Sequence, residues 1–175
     1  RRWNNRTLMI DKSNIIIILA AGKGTRMNSE LPKVLHLLKN KPLLSHVIDT
    51  SKKLFPFKII VVVGYKKELI IDKFQDDDVT FVEQKELMGT ADAIKHCLPS
   101  LKNFDGNVLI LSGDVPMIKT NTLMEFFNHH NVNQALGSLI STDLENPDGY
   151  GRVLKNKKNQ LSEIIEHKDA NEEQR

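Results

Sequence analysis

The sequence is poor in the features that would place it in several large classes. It holds one cysteine, so no internal disulfide can staple it, and a reducing compartment suits it. One tryptophan and two tyrosines are too few for a platform on which nucleic-acid bases stack. The net charge is only +3 over 175 residues, which argues against a general nucleic-acid surface. No apolar run approaches the roughly 20 residues of a membrane span. Arg1, Arg2, Arg6 and Lys12 ahead of the apolar run Ile15 to Ala21 superficially resemble a signal peptide, but the run is short and leads into Gly22-Lys23-Gly24 with no cleavage site. These absences point to a cytoplasmic protein with no nucleic-acid or membrane partner. The six histidines (36, 46, 96, 129, 130 and 167) show no paired metal-ligand spacing, and no Ser/His/Asp or Cys/His constellation can be argued. Cys97 sits in a predicted helix and reads as a small buried residue.

What is present is enough apolar content, 40%, to bury one real core. Residues 1–14 read as an extension or tag plus lead-in, and one domain is expected over 15–175. The organising stretch is Ile15 to Lys33. Four consecutive β-branched residues, Ile15 to Ile18, followed by Leu19 and Ala20, read as a strand buried on both faces of a parallel sheet. The chain then turns small and basic through Ala21-Gly22-Lys23-Gly24-Thr25-Arg26. Glycines let the backbone approach a ligand, and successive N–H groups in such a turn form an anion-binding concavity. Between Ala21 and Lys41 there are five Lys or Arg and one acid, which suits a compact polyanion, with Arg26 and Lys33 reaching its phosphates. The P-loop pattern fails here on spacing and order. The dinucleotide fingerprint fails at Met27, and the second strand ends Gly64-Tyr65-Lys66 with no acid to hold a ribose.

Further on, Pro42 opens a helix through Leu43, Leu44, Val47, Ile48 and Leu54. Lys58 to Gly64 reads as a second buried strand, Lys66 to Phe74 as a helix, Asp76 to Asp78 as a solvated turn and Val79 to Glu83 as a third strand. A helix begins at Gly89-Thr90-Ala91 with Thr90 as its cap. Asn107 to Leu111 is a fourth strand, Thr120 to Asn131 a helix and Gln134 to Ser141 a strand. Beyond Pro147, Tyr150 to Leu154 and Gln160 to Ile165 read as extended segments joined by a polar turn. The alternation predicts an α/β, Rossmann-like fold: a mostly parallel sheet with helices on both faces. Ligands of such sheets sit at the carboxyl ends of the strands, where Gly22, Gln84 and Asp114 would share one rim. Asp114, after Ser112-Gly113, suits a hard cation beside a phosphate.

Together, LAAGKGTRM with Leu31-Pro32-Lys33, Gly89-Thr90-Ala91, Gly113-Asp114, Gly149-Tyr150-Gly151-Arg152 and Glu166-His167-Lys168-Asp169-Ala170 resemble the bacterial N-acetylglucosamine-1-phosphate uridyltransferases. The likeness is to the N-terminal pyrophosphorylase domain of those bifunctional acetyltransferases, from about Ile15 to the end. LAAGxGxRM is common to many sugar and alditol nucleotidyltransferases, and GYGR followed by EHKDA narrows the match. The resemblance implies Mg²⁺-dependent transfer of UMP from UTP to N-acetylglucosamine 1-phosphate, giving UDP-N-acetylglucosamine for peptidoglycan and lipopolysaccharide synthesis, and diphosphate. It implies that Leu19, Ala20, Ala21 and Gly22 cradle the nucleotide, and that Gln84, Gly89 and Thr90 contact uracil. Arg26 and Lys33 would be catalytic, steadying the departing diphosphate. Asp114 would bind Mg²⁺, and Ser112, Gly113, Gly151 and Glu166 would hold the sugar side. Ser112 stands where many members carry a larger residue such as tyrosine. The family's sugar-holding and second metal-binding asparagines would fall beyond Arg175, so impaired turnover is expected of this chain alone. A trimer is expected only with the acetyltransferase domain of the family. Two alternatives stand beside this reading: a cytidylyl- or guanylyltransferase for another sugar or alditol phosphate, and a non-catalytic nucleotide-binding fragment.

Overall fold

A computed structural model describes residues 14–24, 27–158 and 160–174, and the chain divides after Asn128 into two compact units. The first unit is built on four parallel strands: β1 (Asn14–Leu19), β4 (Lys58–Val63), β5 (Thr80–Glu83) and β6 (Asn107–Ser112). Their order across the sheet is β5-β4-β1-β6. The chain thus moves outward from β1 on one side, then returns to place β6 on the other. A two-residue pair, β2 (Leu37–Leu38) with β3 (Lys41–Pro42), lies between β1 and the first helix. The helices are α1 (Leu43–Lys52), α2 (Lys67–Phe74), α3 (Thr90–Cys97) and α4 (Thr120–Val132).

The isoleucine run explains why both faces are covered. Successive strand side chains point to opposite faces, so Ile16 and Ile18 join one core and Ile15 and Ile17 another, all essentially fully buried. On the first face they meet Leu44, Val47 and Ile48 of α1, Ile70 and Phe74 of α2, and Leu123 and Phe127 of α4. On the second they meet Ala93 and Cys97 of α3. Burial pushes the Cys97 thiol pKa upward, so it stays a small apolar filler. The strand β6 shows the limit of α3's cover: Leu109 and Leu111 are buried, while Val108 and Ile110 are exposed.

The second unit carries one antiparallel pair, β7 (Arg152–Lys155) with β8 (Leu161–Ile165). Asn156 shapes their connection, its Oδ1 accepting from the N–H groups of Lys158 at 2.9 Å and Gln160 at 3.1 Å.

Three local expectations are corrected. Gln134 to Ser141 is not a strand. Gln134 takes a left-handed backbone at φ 47°, and the Asn133 side chain donates to the His129 carbonyl at 2.7 Å. Both close the end of α4. A strand needs a neighbour to take its N–H and C=O groups, and none pairs with this segment among the described residues. Pro42 belongs to the β2–β3 pair and precedes α1 instead of starting its first turn. Thr90 is the first helical residue, with Gly89 at the cap position and no side-chain cap bond.

Candidate active site

The strand order reverses at β1, and a crevice opens there at the carboxyl ends of the strands, the usual place for a ligand in such a sheet. It is a cleft of about 570 Å³. One wall is the turn after β1, from Leu19 to Gly24, with Met27. Lys33, Val34, Ser112 and Asp114 line another side, and Gln84, Leu87, Gly89, Thr90 and Ala93 a third.

The glycine turn is held from outside by its carbonyls. Leu19 O accepts from Gly113 N–H at 2.9 Å and Ala21 O from Tyr65 N–H at 3.1 Å. Among the described residues, nothing accepts from the N–H groups of Gly22, Lys23 and Gly24. That leaves a row of donors in a turn that lines the open cleft, the kind of backbone run from which anion-binding nests are built. Gly24 has φ +66°, and a Cβ there would lie 2.7 Å from Lys33 Cβ. The turn and the lysine therefore meet only because this residue is glycine.

Lys33 begins a short 3₁₀ turn, Lys33–Leu35, anchored by the buried Val34 and Leu35. Its Nζ lies 2.6 Å from Asp114 Oδ2, with the two side chains 41% and 30% exposed. One cation and one carboxylate are thus placed side by side within reach of solvent and ligand. Gly113 is buried beneath the wall, where a Cβ would meet the Leu19 carbonyl at 3.0 Å.

A second support lies outside the cleft. Lys66 Nζ donates to both the carbonyl and a carboxylate oxygen of Glu30 at 2.7 Å. Lys23 and Lys66 stand over the Tyr65 ring at 5.4 and 5.5 Å, a cation–π arrangement. The hydrogen bond from Lys66 lowers the Glu30 pKa, and Glu30 in turn raises that of Lys66.

Gln84 is 4% exposed, and its side-chain Nε2 donates to the Gly89 carbonyl at 3.1 Å and to Asp92 Oδ2 at 2.8 Å. Gly89 has φ 97° and ψ −178°, a region essentially reserved for glycine. That conformation puts Thr90 inside the helix.

Of the residues named from sequence, the cleft brings together Leu19, Ala20, Ala21, Gly22, Lys33, Gln84, Gly89, Thr90, Ser112 and Asp114. Arg26 lies outside the described residues. Gly151 and Glu166 belong to the second unit, where they flank the paired residues Arg152 and Ile165 at one end of β7–β8. There Arg152 Nη1 donates to the Pro147 and Tyr150 carbonyls at 2.9 and 2.6 Å. Sequence reasoning missed Asp92, Leu87 and the Tyr65–Lys66 support. An acid in the first turn of a helix reads from sequence only as a complement to the helix dipole.

For a divalent cation, the cleft offers Asp114, and no group of three or more His, Cys, Asp or Glu gathers among the described residues. That donor set fits Mg²⁺, which usually keeps several waters and takes one or two carboxylates together with substrate phosphates.

A Rossmann-like sheet, a glycine turn after its first strand and a Lys–Asp pair at the switch point make a site suited to a phosphate-bearing ligand, and the class is that of the nucleotidyltransferases. A family model of the MobA-like NTP transferase domain matches residues 16–156, and the chain belongs to that family. Among curated proteins it is similar to the bifunctional protein GlmU of Nostoc sp., 43% identical over 161 residues, covering 92% of this chain and 36% of the relative. GlmU of Nitrosococcus oceani is 48% identical over 160 residues, covering 91% and 35%. The chain thus spans about a third of the length of the curated relatives it matches. Among solved structures, HddC from Yersinia pseudotuberculosis superimposes with a TM-score of 0.65 at 22% identity, over 87% of this chain and 68% of that one. A UDP-glucose pyrophosphorylase complexed with UDP-glucose gives 0.65 at 18%, over 91% and 70%. These two likenesses bear on the fold. Among the described residues, no helix is long and apolar enough to cross a membrane.

Proposed function

We propose that the chain carries the nucleotidyl-transfer site of an enzyme that moves UMP from UTP to N-acetylglucosamine 1-phosphate, releasing diphosphate. The observation that carries this reading is the Lys33–Asp114 pair at 2.6 Å beside the open amides of the Gly22–Gly24 turn. The GlmU relatives direct it to an amino-sugar phosphate. On this reading the setting is cytoplasmic envelope-precursor synthesis, and trimers form only with the acetyltransferase domain of such proteins.

The sugar phosphate is already an anionic nucleophile, so no general base is required. One of its oxygens bonds to the α-phosphorus as the bond from that phosphorus to the diphosphate oxygen breaks. Catalysis is then alignment and charge stabilisation. The turn's amides orient the polyphosphate, Lys33 and Arg26 neutralise the departing diphosphate, and Gln84 with Gly89 seats the base. Asp114 would hold Mg²⁺, which when bound neutralises charge on the phosphate oxygens. Residues 15–175 carry this domain on the same reading, with Ser112, Gly113, Gly151 and Glu166 on the sugar side.

The test is diphosphate release from UTP, N-acetylglucosamine 1-phosphate and Mg²⁺, with this chain and with one extended to the length of its relatives. UDP-N-acetylglucosamine formation by the longer chain, and weak or no turnover by the shorter, is expected. Reaction with CTP or GTP instead of UTP would give the site to a sister nucleotidyltransferase.

A further inference from the structure

How the cleft chooses among bases follows from one amide, given the nucleotide reading above. A primary amide has two N–H donors on nitrogen and acceptor lone pairs on oxygen. In Gln84 the nitrogen is committed twice, to Asp92 Oδ2 at 2.8 Å and to the Gly89 carbonyl at 3.1 Å. A carboxylate and a backbone carbonyl are acceptors only, so turning the amide over would set oxygen against oxygen in both places. The atom left for a ligand is Oε1, an acceptor.

Uracil carries a ring N3–H that can donate to such an atom. Cytosine has a bare N3 there, so the same approach sets lone pair against lone pair. A site built to take one hydrogen bond rejects the base that cannot supply it, because the buried polar group is left unpaired. Gln84 has little freedom to adapt, being 4% exposed with its backbone N–H on the Val63 carbonyl at 2.8 Å.

We propose that Asp92 is a positioning residue that reinforces this polarity: together with the Gly89 carbonyl, its carboxylate locks the Gln84 amide with oxygen toward the ligand, so the cleft accepts an imide base and turns cytosine away. Asp92 lies in the first turn of α3, its side chain 25% exposed. His96 Nδ1 sits 2.9 Å from the Asp92 carbonyl and 3.6 Å from its Oδ2, backing the carboxylate from the next turn of the helix.

Equilibrium titration of the full chain with UTP and with CTP reads this preference without requiring turnover. The unsubstituted chain favours UTP by tenfold or more. Asp92→Asn, whose amide can accept or donate, removes one of the two locks and leaves the Gly89 carbonyl as the other, so the ratio falls by up to about tenfold, the scale of one charge-assisted hydrogen bond. Asp92→Glu, which keeps the carboxylate, recovers part of it. Asp92→Ala leaves only the Gly89 carbonyl to hold the amide and lowers the ratio in the same direction should the asparagine variant fail to fold. An unchanged preference in a variant that still binds UTP would overturn the inference and leave the nucleotide site standing. Equal affinity for the two nucleotides in the unsubstituted chain would overturn it as well. Binding of neither would remove the nucleotide site, and the positioning role with it.

Discussion

Under the proposed function, Lys33 serves stability and chemistry to very different degrees. Its ion pair with Asp114 joins side chains that are 41% and 30% exposed, and such pairs contribute only about 0–1 kcal/mol to stability. Losing one preorganised charge at a site of phosphoryl-type chemistry costs on the order of 10²–10³ in rate. Lys33→Met should therefore leave the urea midpoint nearly unchanged while cutting diphosphate release by that factor. A variant that loses both together would make the lysine a structural residue. From sequence, Lys33 could be named as a cation reaching the phosphates and Asp114 as a carboxylate on the strand-end rim. That they form a pair could not, because their contact depends on Gly24 admitting Lys33 at 2.7 Å from where a Cβ would stand.

The elements were legible where burial dictates the pattern. Ile15 to Ile18 and Ile59 to Val63 are covered on both faces, and only a two-sided sheet asks for so long an unbroken apolar run. Legibility failed where a long-range partner decides. Gln134 to Ser141 has strand-like residues but no strand beside it among the described residues, and the Gly89 conformation was invisible in a Gly-Thr pair that suits an ordinary cap. The turn between β4 and α2 is another such case, since Lys66 reaches 36 residues back to Glu30. Lys66 holds the Glu30 pKa below its ordinary range, so that contribution is present above the usual carboxylate pKa and is lost as pH falls through the lowered one. The raised pKa of Lys66 carries its contribution up past the ordinary lysine range before it too is lost. The melting difference between the unsubstituted chain and Lys66→Met should be flat near neutrality, and it should shrink at acid pH and in high salt. A difference that persists in acid would place the role of Lys66 on the Tyr65 ring instead.

At the scale of the molecule, the proposed sugar side draws on both units: Ser112 and Gly113 belong to the first, Gly151 and Glu166 to the second. The described residues that line the cleft at the β1–β6 switch point belong to the first unit, whereas Gly151 and Glu166 sit at one end of the β7–β8 pair in the second. Glu166 uses its backbone carbonyl on the N–H groups of Asp169 and Ala170 at 2.9 and 3.1 Å, so a change confined to its side chain leaves that turn intact. If the carboxylate holds a hydroxyl of the amino sugar, Glu166→Gln should raise the KM for N-acetylglucosamine 1-phosphate in the extended enzyme by about tenfold, the scale of one hydrogen bond to a charged group. The Kd for UTP, measured by titration without sugar phosphate, should not move. Lys33→Met would show the opposite division, losing turnover with the sugar-phosphate KM little changed. A Glu166→Gln enzyme that loses UTP affinity as well would mean that the two groups of residues form one binding unit, and the assignment of separate roles would fail.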